Sequence, residues 1–215
     1  MSKNNNNGNK EEKGTILVVE DSSDIRQLME LTIKFGGYKV EVAHNGEEAL
    51  KKIKKEQPAL VITDLLMPKV DGFSLIYKLR SNPETRDLPV MVISATYVAP
   101  EDKDLAMSLG ATSFMQKPVD IQELLLTVGE IIFNPPAVSK TIISEKTFYE
   151  GYRKRLEAKL RQKSQQLDRN ERLLQTLPED QKAAFQKLLD DVKVDRDFLI
   201  SELNEIIENL KKIEG

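Results

Sequence analysis

The chain has 215 residues, with 32 Lys and Arg against 35 Asp and Glu, a net charge of −3 and no Cys. That length holds one domain of about 120 residues and a smaller second unit. The near-neutral balance argues against a surface built to coat nucleic acid, and the absence of Cys excludes disulfides, thiolate catalysis and a Cys-based zinc site. No run reaches the roughly 18 apolar residues of a membrane helix and the N-terminus lacks a signal-peptide core, so the expectation is a soluble, cytoplasmic protein without a membrane partner.

Residues 1–14 are rich in Asn, Lys and Glu and carry no apolar side chain after Met1. They have nothing to bury, and a disordered leader is expected. From Thr15 apolar runs alternate with helical periodicity. Ile16 to Val19 reads as a strand and ends in paired acids, Glu20 and Asp21. Ser22 and Ser23 are set to cap a helix whose Ile25, Leu28, Met29, Leu31, Thr32 and Phe35 recur at helical spacing before Gly36-Gly37. Tyr38 to Val42 is a short strand; Asn45-Gly46 turns into a helix over Glu47 to Glu56, which Pro58 stops.

Leu60 to Thr63 is a short apolar run suited to a strand buried on both faces, and it ends in Asp64. Pro68 and Gly72 hold off the following helix, Phe73 to Leu79, which breaks at Asn82-Pro83. Val90 to Ile93 is the next strand, ending in Ser94; a helix follows over Pro100 to Leu109, closed by Gly110. Ala111 to Met115 leads into Gln116 and Lys117-Pro118, and Val119 to Phe133 is the last helix of the alternating region. Strands separated by helices imply an α/β fold with a parallel sheet and right-handed crossovers.

The strand ends therefore present two acids, one acid, a hydroxyl and a lysine, at the edge where open α/β sheets place ligand chemistry. A lone Ser after a strand is usually a cap, a lone Phe in a strand is usually core, and a Lys-Pro pair usually marks a turn; the set taken together is more specific. From about Thr15 to Phe133 it resembles the receiver domain of two-component response regulators. The resemblance implies a flavodoxin-like, doubly wound five-stranded parallel sheet in the order 2-1-3-4-5, which places strand 1 beside strand 3.

Glu20, Asp21 and Asp64 would then crowd into one cleft, where a hard divalent ion with oxygen ligands relieves their repulsion; Mg²⁺ suits such a site. By resemblance, Asp21 and Asp64 are direct ligands, Glu20 acts directly or through water, and the backbone carbonyl of Leu66 completes the set. Asp64 is the implied phosphoacceptor, Lys117 the cation that pairs first with its carboxylate and then with a phosphoryl oxygen. Ser94 is the switch hydroxyl and Phe114 the aromatic that follows it. The bond before Pro118 is a candidate for cis. Leu66 and Thr96 occupy the positions that tune phosphoryl lifetime in such domains, and neither carries an acid or amide to position water. The implied partner is a sensor histidine kinase or a phosphotransfer protein. His44, the single His, lies in a turn and reads as a surface residue. Beyond assisting its own phosphorylation and dephosphorylation, no enzymatic output is expected.

Asn134-Pro135-Pro136 closes the receiver-like region, and residues 135–146 read as a linker. From 147 to 215 the pattern is a helical hairpin or coiled coil. Tyr149, Leu156, Lys163, Asn170 and Leu177 repeat every seven, as do Arg153, Leu160, Leu167 and Leu174. Thr176-Leu177-Pro178-Glu179 reads as a capping box that opens a second helix. Along it Phe185, Leu189, Val192, Arg196, Leu199, Leu203, Ile206, Leu210 and Ile213 form a seam whose only polar member is Arg196. Residues 140–172 carry 10 basic and 5 acidic side chains and residues 173–215 carry 6 and 10, so an antiparallel hairpin would be attractive. A two-helix hairpin has little core, so a homodimer through four helices, or a protein partner docked there, is expected. Two alternatives are a helical phosphatase acting on another receiver and a nucleic-acid-binding output. The first needs an exposed acid and amide one turn apart, which neither Asp168 and Arg172 nor Asp180 and Ala184 supply. The second needs a recognition helix, and the basic cluster Arg153, Lys154, Arg155, Lys159, Arg161 and Lys163 is spread around its helix as a solvated face.

Overall fold

The structure, a computed structural model, describes residues 14–94, 100–135 and 143–214. Most of the expected leader (1–13), most of the expected linker (136–142) and Thr96 lie outside the described residues. The chain divides into two compact units after Ile142.

The first unit alternates throughout: β1 (Thr15–Val19), α1 (Ser23–Phe35), β2 (Lys39–Ala43), α2 (Gly46–Lys55), β3 (Leu60–Thr63), α3 (Gly72–Ser81), β4 (Val90–Ser94), α4 (Pro100–Ser108), β5 (Ser113–Gln116) and α5 (Ile121–Phe133). All pairings are parallel and the order is β2-β1-β3-β4-β5, as expected. Every residue of β3 and β4 is buried, which is why both read as continuous apolar runs and not as alternating ones. Ile16, Val18, Ile62, Met91 and Ile93 pack with Met29 and Ile33 of α1 and with Leu124, Val128 and Ile131 of α5. Each such side chain contributes roughly 1.5–3 kcal/mol by burial.

The helix starts are set by side-chain caps. Asn45 accepts from the Glu48 N–H, Asp71 from Ser74, and Asp120 from both Gln122 and Glu123. Asp120 thus starts α5 at Ile121, two residues later than the periodicity suggests. Ser22 occupies the cap position of α1, but its side chain makes no capping bond. β5 is also displaced from the expected Ala111–Met115: Ala111 N–H closes α4 on the Ala106 carbonyl, and the ladder to β4 begins with Ser113 opposite Met91.

Arg80 is a buried clip that the sequence did not single out. Its guanidinium donates twice to the Gly110 carbonyl, at 3.1 and 2.7 Å, and once to Leu88 at 2.9 Å. Burial lowers its pKa to about 10, with Asp87 acting the other way.

The second unit is an antiparallel hairpin of α6 (Glu145–Thr176) and α7 (Glu179–Glu214). α6 begins two residues before the expected 147 because Ser144 caps it, accepting from the Thr147 N–H at 3.1 Å. The capping box at Thr176 does not form. Thr176 is the last residue of α6, and its hydroxyl donates back to the Leu173 carbonyl at 2.8 Å, the local bond that competes with capping. Of the α7 seam, Leu189, Val192, Ile206 and Leu210 are buried, and Arg196 is half-buried. Leu167 packs against Leu189 and Val192, while Lys163 and Asn170 are half-buried as the interruptions of the α6 seam. Phe148 and Tyr152, outside the heptad reading, are buried as well. The expected attraction of basic α6 for acidic α7 is realised by Lys146–Glu214 and Lys163–Asp195, both at 2.8 Å, while Lys193–Glu171 at 3.4 Å joins the helices in the reverse sense. No helix among the described residues is long and apolar enough to cross a membrane.

Candidate functional site

β1, β3, β4 and β5 deliver their terminal residues to one edge of the sheet. Because β1 and β3 are neighbours in register, Val19 opposite Thr63, the acids that follow each strand fall side by side. The Asp64 N–H donates to the Val19 carbonyl at 3.0 Å and so ties the two strand ends together. Carboxylate oxygens of Glu20, Asp21 and Asp64 all lie within 4.8 Å of one another. Asp21 is exposed, whereas Glu20 and Asp64 are 4% and 9% exposed.

Lys117 reaches the cluster from the end of β5, whose N–H to the Ser94 carbonyl measures 2.7 Å. Its ammonium lies 2.7 Å from Glu20 Oε2 and 3.7 Å from Asp64 Oδ1. The expectation paired Lys117 with Asp64; its shorter contact is to Glu20, whose extra methylene carries the carboxylate out to the lysine. The Lys117-Pro118 bond is cis.

Burial raises the pKa of both inner acids, opposed chiefly by Lys117; Asp64 adds to the rise at Glu20, and Asp21 to the rise at Asp64. Asp64 Oδ1 and Ser94 Oγ are buried without a well-formed hydrogen-bond partner. Native proteins seldom leave a buried carboxylate oxygen so, and the donor set, three carboxylates of which one has an oxygen short of a hydrogen bond, fits a hard divalent cation such as Mg²⁺. Phe114 is half-buried in β5. Leu66 is 45% exposed in the loop after Asp64.

That loop is tightly built. Lys69 has φ +69°, in the left-handed region. The Gly72 N–H donates to the Leu65 carbonyl at 3.0 Å. A Cβ on Gly72 would stand 2.3 Å from the Asp64 carbonyl oxygen, so only glycine admits this close approach. Arg26 is a further participant. It donates to the Glu20 and Asp21 carbonyls at 2.8 and 3.1 Å and clamps the loop that carries both acids. Within one helical period it looked like an ordinary polar position of α1, and no motif marked it. His44 is exposed and engages Glu48, its ring Nδ1 2.7 Å from the Glu48 carboxylate.

Residues 16–129 match the response regulator receiver domain. The chain belongs to this family. An uncharacterized 14.6 kDa protein of Leptolyngbya boryana is 38% identical over 124 residues, 57% of this chain and 94% of that protein. The response regulator MprA of Mycobacterium ulcerans is 36% identical over 117 residues, 54% of this chain; the match spans 49% of MprA, about half its length. Among solved structures, a putative response regulator from Chloroflexus aurantiacus is similar with a TM-score of 0.54 at 34% identity, covering 56% of this chain and 98% of that one. The chemotaxis protein CheY4 of Vibrio cholerae is similar with a TM-score of 0.51 at 33% identity, covering 54% and 97%. The receiver is thus a component of two-component phosphorelay signalling, in which receivers meet histidine kinases or phosphotransfer proteins and hold Mg²⁺ at an acidic cluster. The family match ends before α6 and α7.

Proposed function

We propose that Asp64 accepts a phosphoryl group from a phosphohistidine on a sensor kinase or phosphotransfer protein, and that the modified receiver switches the α6–α7 hairpin as an interaction module. The observation that carries this reading is Asp64 Oδ1, buried without a well-formed hydrogen bond where three carboxylates meet, with the Lys117 ammonium 3.7 Å away. In the transfer a carboxylate oxygen of Asp64 forms the new O–P bond as the P–N bond to the donor imidazole breaks. The electron pair leaves with the imidazole, which takes up a proton.

Glu20, Asp21, Asp64 and the Leu66 carbonyl would hold Mg²⁺, which when bound supplies positive charge to the phosphoryl oxygens. Lys117 offers a second positive charge, moving from Glu20 toward the new phosphoryl oxygen. Ser94, buried at the end of β4 beside Asp64, donates to another oxygen, and Phe114 follows its movement. The receiver has no separate enzymatic output in this reading, works in the cytoplasm, and self-associates through its hairpin.

The test is intact mass after acetyl phosphate with and without Mg²⁺. One phosphate should add, only with the cation, and none to Asp64→Ala; an undiminished gain in that variant would sink the assignment. A phosphatase hairpin is the second reading. Glu171 and Gln175, both exposed, do stand one turn apart on α6, a pair that the Asp168 and Asp180 positions alone conceal. Glu171 is, however, engaged by Lys193 at 3.4 Å. Faster dephosphorylation of a separate receiver on adding this chain, abolished by Gln175→Ala, would establish that activity.

A further inference from the structure

We propose that the outer face of α7 is a self-complementary surface on which a second copy of this chain docks antiparallel, about a two-fold axis midway between Val194 and Phe198. This deepens the self-association proposed above and rests on it.

The seam of α7 is taken up by α6. On the opposite side of α7 runs a second stripe: Asp180, Lys187, Val194, Phe198, Glu205 and Lys212. Steps of seven or four return to nearly the same face of a helix, so these side chains form one line. All six are exposed, Val194 at 68% and Phe198 at 51%. The spacing is 7-7-4-7-7, the same from either end. Turning one copy end for end about the centre therefore brings Val194 opposite Phe198, Lys187 opposite Glu205, and Asp180 opposite Lys212. Each pairing occurs twice, as a two-fold axis requires. The result is an apolar centre flanked by four pairs of opposite charge, over about 48 Å of helix.

The charges are available for this role. Asp180, Lys187, Glu205 and Lys212 form no ion pair within the chain among the described residues, although the adjacent Lys182 and Lys211 pair with Glu179 and Glu208. A parallel arrangement in register would set Lys187 against Lys187 and Glu205 against Glu205, and like charges facing one another reject that alternative. The second copy is the occupant because the charge order of the stripe is complementary to its own reversal.

The experiment is sedimentation equilibrium on the full-length protein, with circular dichroism to show that exposed substitutions leave the helices intact. The wild-type chain should dimerise. Lys187→Glu should weaken the dimer about tenfold or more by placing acid against acid twice, and Lys187→Glu with Glu205→Lys should restore it to within about threefold. Because the chain has no Cys, the register is read separately: Asp191→Cys with Ser201→Cys should form interchain disulfides on oxidation, and Ser201→Cys alone should not. A wild-type monomer would overturn both this surface and the self-association reading. A dimer indifferent to Lys187→Glu would overturn this surface alone, leaving self-association through another face.

Discussion

At the scale of single residues the site holds its acids against their preference. Glu20 and Asp64 are buried, and desolvation raises both carboxyls above their ordinary values of 4.5 and 3.8 despite Lys117. As pH rises, these groups ionise first in the unfolded chain, while the folded chain still keeps its protons. Stability therefore falls through the window between the ordinary and the raised values, and the penalty is complete above it. Asp64→Asn removes one of these charges. Without metal it is expected to be more stable than the wild type by about 1–2 kcal/mol at neutral pH, a difference that shrinks as the solution is acidified. Thermal melts at several pH values check this; a variant less stable at pH 7 overturns it. Lys117→Ala belongs at the same scale. With the ammonium 2.7 Å from Glu20, the lysine occupies charge that a divalent cation would use. Mg²⁺ affinity should be undiminished or a few-fold higher in Lys117→Ala, while the response to phosphorylation is lost. Titration calorimetry showing weaker Mg²⁺ binding would remove Lys117 from this role.

At the scale of elements, the loop from β3 to α3 is closely constrained. Asp71 caps α3, Lys69 takes a left-handed conformation, and Gly72 lies against the backbone of Asp64. Gly72→Ala must push its methyl into the Asp64 carbonyl oxygen, so the loop or the strand end has to move. A loss of about 1–3 kcal/mol is expected in chemical denaturation, together with slower phosphorylation, because the displaced atom belongs to the acceptor residue. Wild-type stability and rate in this variant would show that the approach is not needed. The strands and most helices of this unit were legible from apolar runs and breakers. Helix ends were less so, since Asp120 and Ser144 set them through one or two side-chain hydrogen bonds from backbone N–H groups. Thr176 illustrates the limit: a capping sequence was present, but a nearer acceptor took its hydroxyl.

For the whole molecule, the buried apolar side chains of the described residues fall into two stretches of chain, around the sheet and along the hairpin. A chain stopped after Ile142 should therefore fold cooperatively and still take up one phosphoryl group on Asp64. Circular dichroism melts and intact mass test this; a fragment that fails to fold would show that the receiver depends on α6 and α7. The hairpin has the opposite dependence on scale. Its helices carry +4 and −4 within their own limits, and each is too poor in core to be stable by itself.

The sequence alone determined the alternation of strands and helices, the identity of the chemical groups at the strand ends, and the heptad seams of the tail. All three follow from local periodicity, which depends only on which side chains recur every two, three or four residues. Tertiary structure decided what those groups do to one another. Register between β1 and β3 brought Glu20, Asp21 and Asp64 within 4.8 Å, and the reach of Glu20 drew Lys117 to 2.7 Å. Arg26 and Arg80 emerged only there, because each acts on backbone carbonyls, and a carbonyl has no letter in a sequence. The under-bonded oxygen of Asp64 is likewise a property of packing: the strand ends bury it, and Lys117 stops 3.7 Å away, beyond hydrogen-bond distance.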